Sequence, residues 1–196
     1  MDLQNYIGYG SATVYYPTSG SAASGFPANG GIVSVPYNLT VPINTTGRAQ
    51  GIEIAYQQSW GNFGVNVNYT YTDAKQTSDV QPNADGSPGD SRLVGASKDV
   101  YNIGAYYETA HFNARISYNY RSAFYSGLDR STAFSQDDTG VLAATLGYLF
   151  NDNLSLTLDG ENLNDPTLKY YALNTDQPRA FYKNGRQYYL SLRAKY

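Results

Sequence analysis

The stretch Phe112–Arg121, "FNARISYNYR", alternates without a break. Phe112, Ala114, Ile116, Tyr118 and Tyr120 fall on one side of an extended chain, and Asn113, Arg115, Ser117, Asn119 and Arg121 on the other. Successive side chains of a strand point to opposite faces, so this segment reads as a strand with one apolar and one polar surface.

The same reading extends in both directions. "FGVNVNYTYT" sets Phe63, Val65, Val67, Tyr69 and Tyr71 against Gly64, Asn66, Asn68, Thr70 and Thr72. "LSLTLDGE" sets Leu154, Leu156 and Leu158 against Ser155, Thr157 and Asp159. "GIEIAYQ" sets Ile52, Ile54 and Tyr56 against Glu53, Ala55 and Gln57. The closing "GRQYYLSLRAKY" keeps Tyr188, Leu190, Leu192, Ala194 and Tyr196 in step. Further strands are predicted at about 2–16, 93–108 and 139–150, which makes eight. Helical periodicity is hard to find anywhere in the 196 residues.

Composition agrees. Tyr accounts for 21 residues, and Tyr favours strands and surfaces where one end of the ring is dry and the other wet. The net charge of −3 and the lack of a basic stripe exclude nucleic acid as a partner. With no Cys there are no disulfides and no thiolate metal sites. The opening "MDLQNYIGYG" is not a signal peptide, and no run approaches the roughly 18 apolar residues of a membrane helix. A soluble protein and a membrane β-barrel remain.

The connections favour the barrel. Short ones are predicted near Trp60–Asn62, Thr109–His111 and Asn151–Asn153; long ones fall near 17–38, 77–92, 122–138 and 165–181, rich in Pro, Gly, Ser and Asp. Outer-membrane barrels alternate in this way, with tight periplasmic turns and long extracellular loops. Phe63 and Tyr71, Phe112 and Tyr120, and Tyr188 and Tyr196 each lie eight residues apart on one face. Eight residues span about 26 Å along a strand, or about 20 Å of height at a tilt of about 40°, close to an apolar band of about 25 Å edged by aromatic girdles. Trp60, Phe63, Tyr107, Phe112, Phe150 and Tyr196 would form the inner girdle. The opposite face, with Arg115, Asn119, Arg121, Asp159, Glu161, Arg193 and Lys195, suits a wet lumen. Small soluble barrels fill their interiors with apolar side chains instead.

"NYTYTDA" (68–74), "ISYNYRSAFY" (116–125), "LDGENLND" (158–165) and "GRQYYLSLRAKY" (185–196) together resemble the C-terminal barrel of TonB-dependent outer-membrane receptors. "ENLND" followed by a loop and a last strand with a terminal aromatic carries most of the likeness, which covers roughly residues 40–196. The resemblance implies an all-β, antiparallel, up-and-down transmembrane barrel segment of about eight strands. Residues 1–196 would be the C-terminal part of a larger barrel, with the plug domain and earlier strands absent. It implies uptake of a scarce, bulky ligand across the outer membrane of a Gram-negative bacterium. Siderophores, cobalamin and oligosaccharides are the ligand classes. Loops with few Lys or Arg tilt the expectation to an oligosaccharide. Expected partners are outer-membrane lipid, the barrel assembly machinery and, only through the missing N-terminal part, TonB.

No catalytic residue, cofactor or metal is expected. His111, the single His, sits in a predicted tight turn. Asp159 and Glu161 read as lumenal partners for Arg193 and Lys195. The acidic loops "DVQPNADGSPGD" (79–90) and "LDRSTAFSQDD" (128–138) lack the spacing of a calcium loop and read as solvated loops. Phe124, Tyr125, Tyr170 and Tyr171, with Phe26, are candidate ligand-contacting loop aromatics. Two other architectures fit the pattern: a complete eight-stranded outer-membrane barrel with a structural or adhesive role, and a soluble barrel with its apolar face inward.

On the analogy with outer-membrane barrels, Tyr188, Leu190, Leu192 and Tyr196 form the sorting face read during assembly. Tyr196→Ser is therefore expected to lower the amount of assembled protein in outer-membrane fractions while leaving ligand affinity unchanged, and wild-type levels of assembly would refute that role.

Overall fold

The computed structural model describes residues 1–19, 32–129 and 131–195. Twelve strands run through them: β1 Asp2–Ser19, β2 Ile32–Trp60, β3 Phe63–Gln76, β4 Asp99–Glu108, β5 Phe112–Arg121, β6 Phe124–Asp129, β7 Thr132–Gln136, β8 Thr139–Asn151, β9 Leu154–Glu161, β10 Leu168–Ala172, β11 Pro178–Tyr182 and β12 Gln187–Ala194. No helix occurs among the described residues. Eight strands form one antiparallel sheet in the order β1-β2-β3-β4-β5-β8-β9-β12. This is the wall. β1 and β12 are its two edges, and the sheet is open.

Cross-strand partners in an antiparallel ladder share a face. The register therefore shows how the alternation sums across the wall. One row runs Tyr56, Val67, Ile103, Tyr118, Leu142. A lower row runs Phe63, Tyr107, Ala114, Leu146, Leu158, Leu190. The side chains on this face stay uncovered: Ile52 is 64 % exposed, Phe63 62 % and Leu190 70 %. The other face carries rows such as Ala55, Asn68, Asn102, Asn119. An apolar sheet of this extent is an aggregation hazard in water and a favourable contact in hydrocarbon.

Three short turns lie on one rim. Trp60 pairs with Phe63 around Gly61, whose φ of 58° is the left-handed conformation that glycine tolerates best. Thr109 closes the next turn, accepting the Phe112 N–H through Oγ1 at 3.0 Å. Asn151 closes the third, accepting the Asn153 N–H at 2.9 Å. An aromatic belt sits beside these turns. The Phe63 and Tyr107 rings are 4.6 Å apart, Tyr107 and Phe112 6.2 Å, and Tyr148 and Phe150 4.9 Å. Toward the opposite rim Tyr101 lies 4.7 Å from Tyr120 and 6.2 Å from Tyr118. Tyr196 and Phe26 lie outside the described residues.

Segments 122–138 and 165–181 correct the sequence reading. They form a second antiparallel sheet, β6, β7, β10 and β11, in the order β11-β10-β7-β6. Read from β6, this order repeats that of β5, β8, β9 and β12 beneath it. The outer sheet is thus the upward continuation of four wall strands, broken at 122–123, 137–138, 162–167 and 183–186. Strands of five or six residues, interrupted by turn residues, are too short to show clear alternation. β4 also starts at Asp99 and not near 93, because Gly95 takes a φ of 79° and interrupts the strand.

Gly51 marks a close backbone approach between β2 and β3. A Cβ there would lie 2.2 Å from the Tyr71 carbonyl oxygen, so Gly51→Ala must push two strands apart. We expect a loss of about 1–3 kcal/mol in urea-induced unfolding from micelles, and an unchanged unfolding midpoint would contradict the close approach.

Candidate functional site

The outer sheet places the loop aromatics. Tyr170 is flanked by β7 and β11. Its hydroxyl donates to Gln136 Oε1 at 2.8 Å, its ring stacks on Phe134 at 5.4 Å, and Tyr182 meets it edge-on at 5.7 Å. Tyr171 follows on the other face of β10, the face that Lys169 shares with its cross-strand partner Phe181. Asp137, Lys169, Tyr170, Tyr171, Pro178 and Phe181 line a cavity of about 260 Å³. Lys169 Nζ and Asp137 Oδ2 are 3.9 Å apart, so the lining is close to neutral. Phe181 is 60 % exposed. Sequence reasoning missed it because β11 lies in a segment read as loop; an aromatic one residue before Tyr182 was the available signal.

Phe124 and Tyr125 are placed differently. They are 9 % and 6 % exposed and belong to the packing of the loops. The Arg121 guanidinium lies 3.8 Å from the centroid of the Phe124 ring, while its nitrogens donate to Ser97 Oγ at 3.0 Å and the Gly95 carbonyl at 2.9 Å. The Tyr125 carbonyl accepts the Gly95 N–H at 2.8 Å. Burial, reinforced by the charge of Asp90, pushes the Tyr125 hydroxyl up to about 12, so it stays neutral.

The acidic loops are tied into the same assembly. Asn83, which is buried, accepts the Ala133 N–H at 2.7 Å and donates to the Pro88 carbonyl at 2.8 Å. Arg92 Nε donates to both oxygens of Asp90 at 3.0 Å, and its Nη2 reaches Ser135 Oγ at 3.1 Å. Asp85 accepts from Ser87, which holds its carboxyl below the usual range. Among the described residues no three His, Cys, Asp or Glu side chains cluster as metal ligands.

On the polar face of the wall, one row combines Gly64, Tyr106, Arg115, Thr145, Asp159 and Tyr189. Arg115 sits over the Tyr106 ring at 5.8 Å and 3.9 Å from Glu108, and Thr145 donates to Asp159 at 2.7 Å. The expected pairing of Asp159 and Glu161 with Arg193 and Lys195 is not formed. The register sets Arg193 opposite Ser155 and Glu161 opposite Gln187, several residues apart along the strands. His111 lies in its turn, with Nδ1 3.0 Å from the Leu149 carbonyl oxygen. A nucleophile, base and orienter are not assembled among the described residues. Tyr188, Leu190 and Leu192 line up on the apolar face of β12, opposite Gly160, Leu158 and Leu156.

The family model described as "TonB dependent receptor-like, beta-barrel" matches residues 1–163. No curated protein matches the chain. Solved structures that share its fold include three outer-membrane receptors or transporters. The siderophore receptor PiuA from Acinetobacter baumannii is 18 % identical with a TM-score of 0.58, over 78 % of this chain and 22 % of that one. The ferric-catecholate import receptor Fiu from Escherichia coli K12, in its closed form, is 20 % identical with a TM-score of 0.61, over 98 % and 24 %. The copper transporter OprC is 16 % identical with a TM-score of 0.60, over 98 % and 27 %. The chain thus spans about a quarter of the length of these proteins. With the wall's two-faced register and the family match over most of its length, this chain belongs to the TonB-dependent receptor-like β-barrel family, whose members are receptors and transporters and not enzymes.

Proposed function

We propose that the chain forms wall and outer loops of an outer-membrane receptor that imports a scarce, bulky ligand by TonB-dependent transport. The observation that carries this reading is the division of the wall: hydrocarbon-compatible on one face, polar on the other, with aromatic belts at both ends. An open sheet fits one sector of a wide barrel better than a closed eight-stranded barrel. The polar outer face that a soluble barrel needs is not what Ile52, Phe63 and Leu190 present. Family members are Gram-negative outer-membrane proteins, which supports that location here. Lipid would cover the apolar rows, the assembly machinery would read Tyr188, Leu190, Leu192 and Tyr196, and TonB would act through a segment outside these residues.

For the ligand we favour a neutral oligosaccharide over a siderophore or cobalamin. The cavity on the outer sheet offers ring faces from Tyr171 and Phe181 for stacking, with Lys169, Asp137 and Thr175 available for hydroxyl groups. Its single cation is already balanced by Asp137, which disfavours an anionic chelate. Tyr170 holds β10 between its neighbours, while Phe124 and Tyr125 fix the loops beneath.

Binding of a neutral oligosaccharide panel, a ferric catecholate and Cu²⁺ to the purified full gene product in micelles tests the reading. We expect an oligosaccharide to bind, and Tyr171→Ala or Phe181→Ala to weaken it about tenfold, or about 1.4 kcal/mol. Binding of the ferric catecholate or copper with no saccharide affinity would overturn the ligand class and leave the receptor reading intact.

A further inference from the structure

The segment Glu161–Asp165 is where β9 leaves the wall, and its side chains take over the work of a strand. Asn162 has a φ of 56° and Asp165 a φ of 45°, so the chain turns away from β8 at both positions. An undisturbed ladder would continue from the pair Ala144 and Gly160 to Leu142 and then Gly140. The Leu163 N–H reaches the Leu142 carbonyl at 2.8 Å. The Asn164 carboxamide supplies the rest: Oδ1 accepts the Leu142 N–H at 2.9 Å and Nδ2 donates to the Gly140 carbonyl at 2.7 Å. A carboxamide has the same donor and acceptor as a peptide group, and here it stands where a peptide group would be.

The other side of the segment does the same for the approach to β12. Asn162 Nδ2 donates to the Gly185 carbonyl at 2.6 Å, and Asp165 Oδ1 accepts the Gly185 N–H at 3.1 Å. Arg186 Nε donates to the Leu163 carbonyl at 2.7 Å. Lys183 Nζ lies 3.3 Å from Asp165 Oδ2. Both backbone groups of Gly185, immediately before the last strand, are thus held by side chains of one short motif.

The strands themselves leave a problem that this arrangement solves. A slip of one residue between β9 and β12 would turn the apolar set over, and lipid forbids it. A slip of two residues would not. Leu158 would then face Leu192 or Tyr188 in place of Leu190, and Thr157 would face Arg193 or Tyr189 in place of Ser191, with every side chain still on its proper face. A tight turn usually decides between such registers. β8 and β9 have one, at Asp152–Asn153, but β9 and β12 are joined only through residues 162–186, with β10 and β11 between them.

We propose that Asn162, Asn164 and Asp165 form a register lock that fixes the last strand against β9 in the absence of a tight hairpin. The lock acts on neighbouring backbone groups rather than on side-chain pattern, so it can discriminate registers that hydrophobic alternation cannot. Asn164 anchors the motif to β8, and Asn162 and Asp165 set the position of Gly185 relative to that anchor. This role in assembly is independent of the ligand proposed above.

These 196 residues hold no Cys, so disulfide trapping in the full gene product in membranes, with any Cys outside them replaced by Ser, is a clean test. Thr157→Cys paired with Ser191→Cys reports the native register; Thr157→Cys paired with Arg193→Cys or Tyr189→Cys reports the two slipped ones. Asn102→Cys with Asn119→Cys, on β4 and β5, reports whether the wall has formed. Asn162→Gly with Asp165→Gly removes the side chains and keeps the left-handed backbone accessible. We expect this variant to raise the ratio of slipped to native cross-link about tenfold, as the loss of one or two hydrogen bonds allows, with the β4–β5 cross-link unchanged. An unchanged ratio would overturn the lock. If the double variant loses the β4–β5 cross-link, single substitutions decide: Asp165→Asn keeps the acceptor and must behave as wild type, whereas Asp165→Gly must slip, and equal ratios in the two would equally overturn it.

Discussion

A strand that crosses a membrane has no water to satisfy its backbone, so the peptide groups of its spanning part must find partners in the protein. The rest of this structure follows from that constraint. The wall strands pair in long, nearly unbroken ladders, and the pairing fixes which side chains share a face. Once the ladders are set, alternation in each strand adds up to a continuous apolar surface on one side and a polar one on the other. The aromatic belts lie where such a surface would pass from hydrocarbon to headgroup, where an amphipathic ring is best accommodated.

The same constraint relaxes above the outer aromatic row, and the architecture changes there. Left-handed residues at 95, 162 and 165 break the ladders. Polar side chains then replace backbone partners: Asn83 at Ala133, Arg121 at Gly95, Asn164 at Leu142 and Gly140. Side-chain hydrogen bonds are more specific in position than a repeating ladder, because each needs one residue type at one place. This suits an outer assembly of short strands and loops, whereas the wall below presents a uniform apolar face.

The wall was legible in the sequence because its signal is periodic. Ile52, Phe63, Phe112 and Leu154 each begin runs in which alternation continues long enough to exclude other readings. The outer sheet was not legible, since "TAFSQ" and "LKYYA" are as short as the turns around them. Site residues divided along the same line. Alternation alone placed Tyr188, Leu190 and Leu192 on one face of β12. Phe124 and Tyr125 resemble Tyr170 and Tyr171 in composition, and only the three-dimensional packing separates buried supports from cavity lining. The charge pairing expected for Asp159 failed for a related reason: adjacency of strands can be inferred from order, but register between β9 and β12 depends on bonds made by "ENLND", whose side-chain geometry the sequence does not display.

The proposed receptor sets the apolar face of the wall against lipid and the polar face against water. Spin labels at single introduced cysteines measure this directly, by comparing collisions with oxygen, which partitions into lipid, and with a water-soluble nickel chelate. For the full gene product in membranes, labels at Ile54, Ile103 and Leu158 should respond to oxygen and be shielded from nickel. Labels at Asn68, Ser117 and Thr157 should show the opposite. The reverse pattern, or nickel access on both faces, would contradict the account.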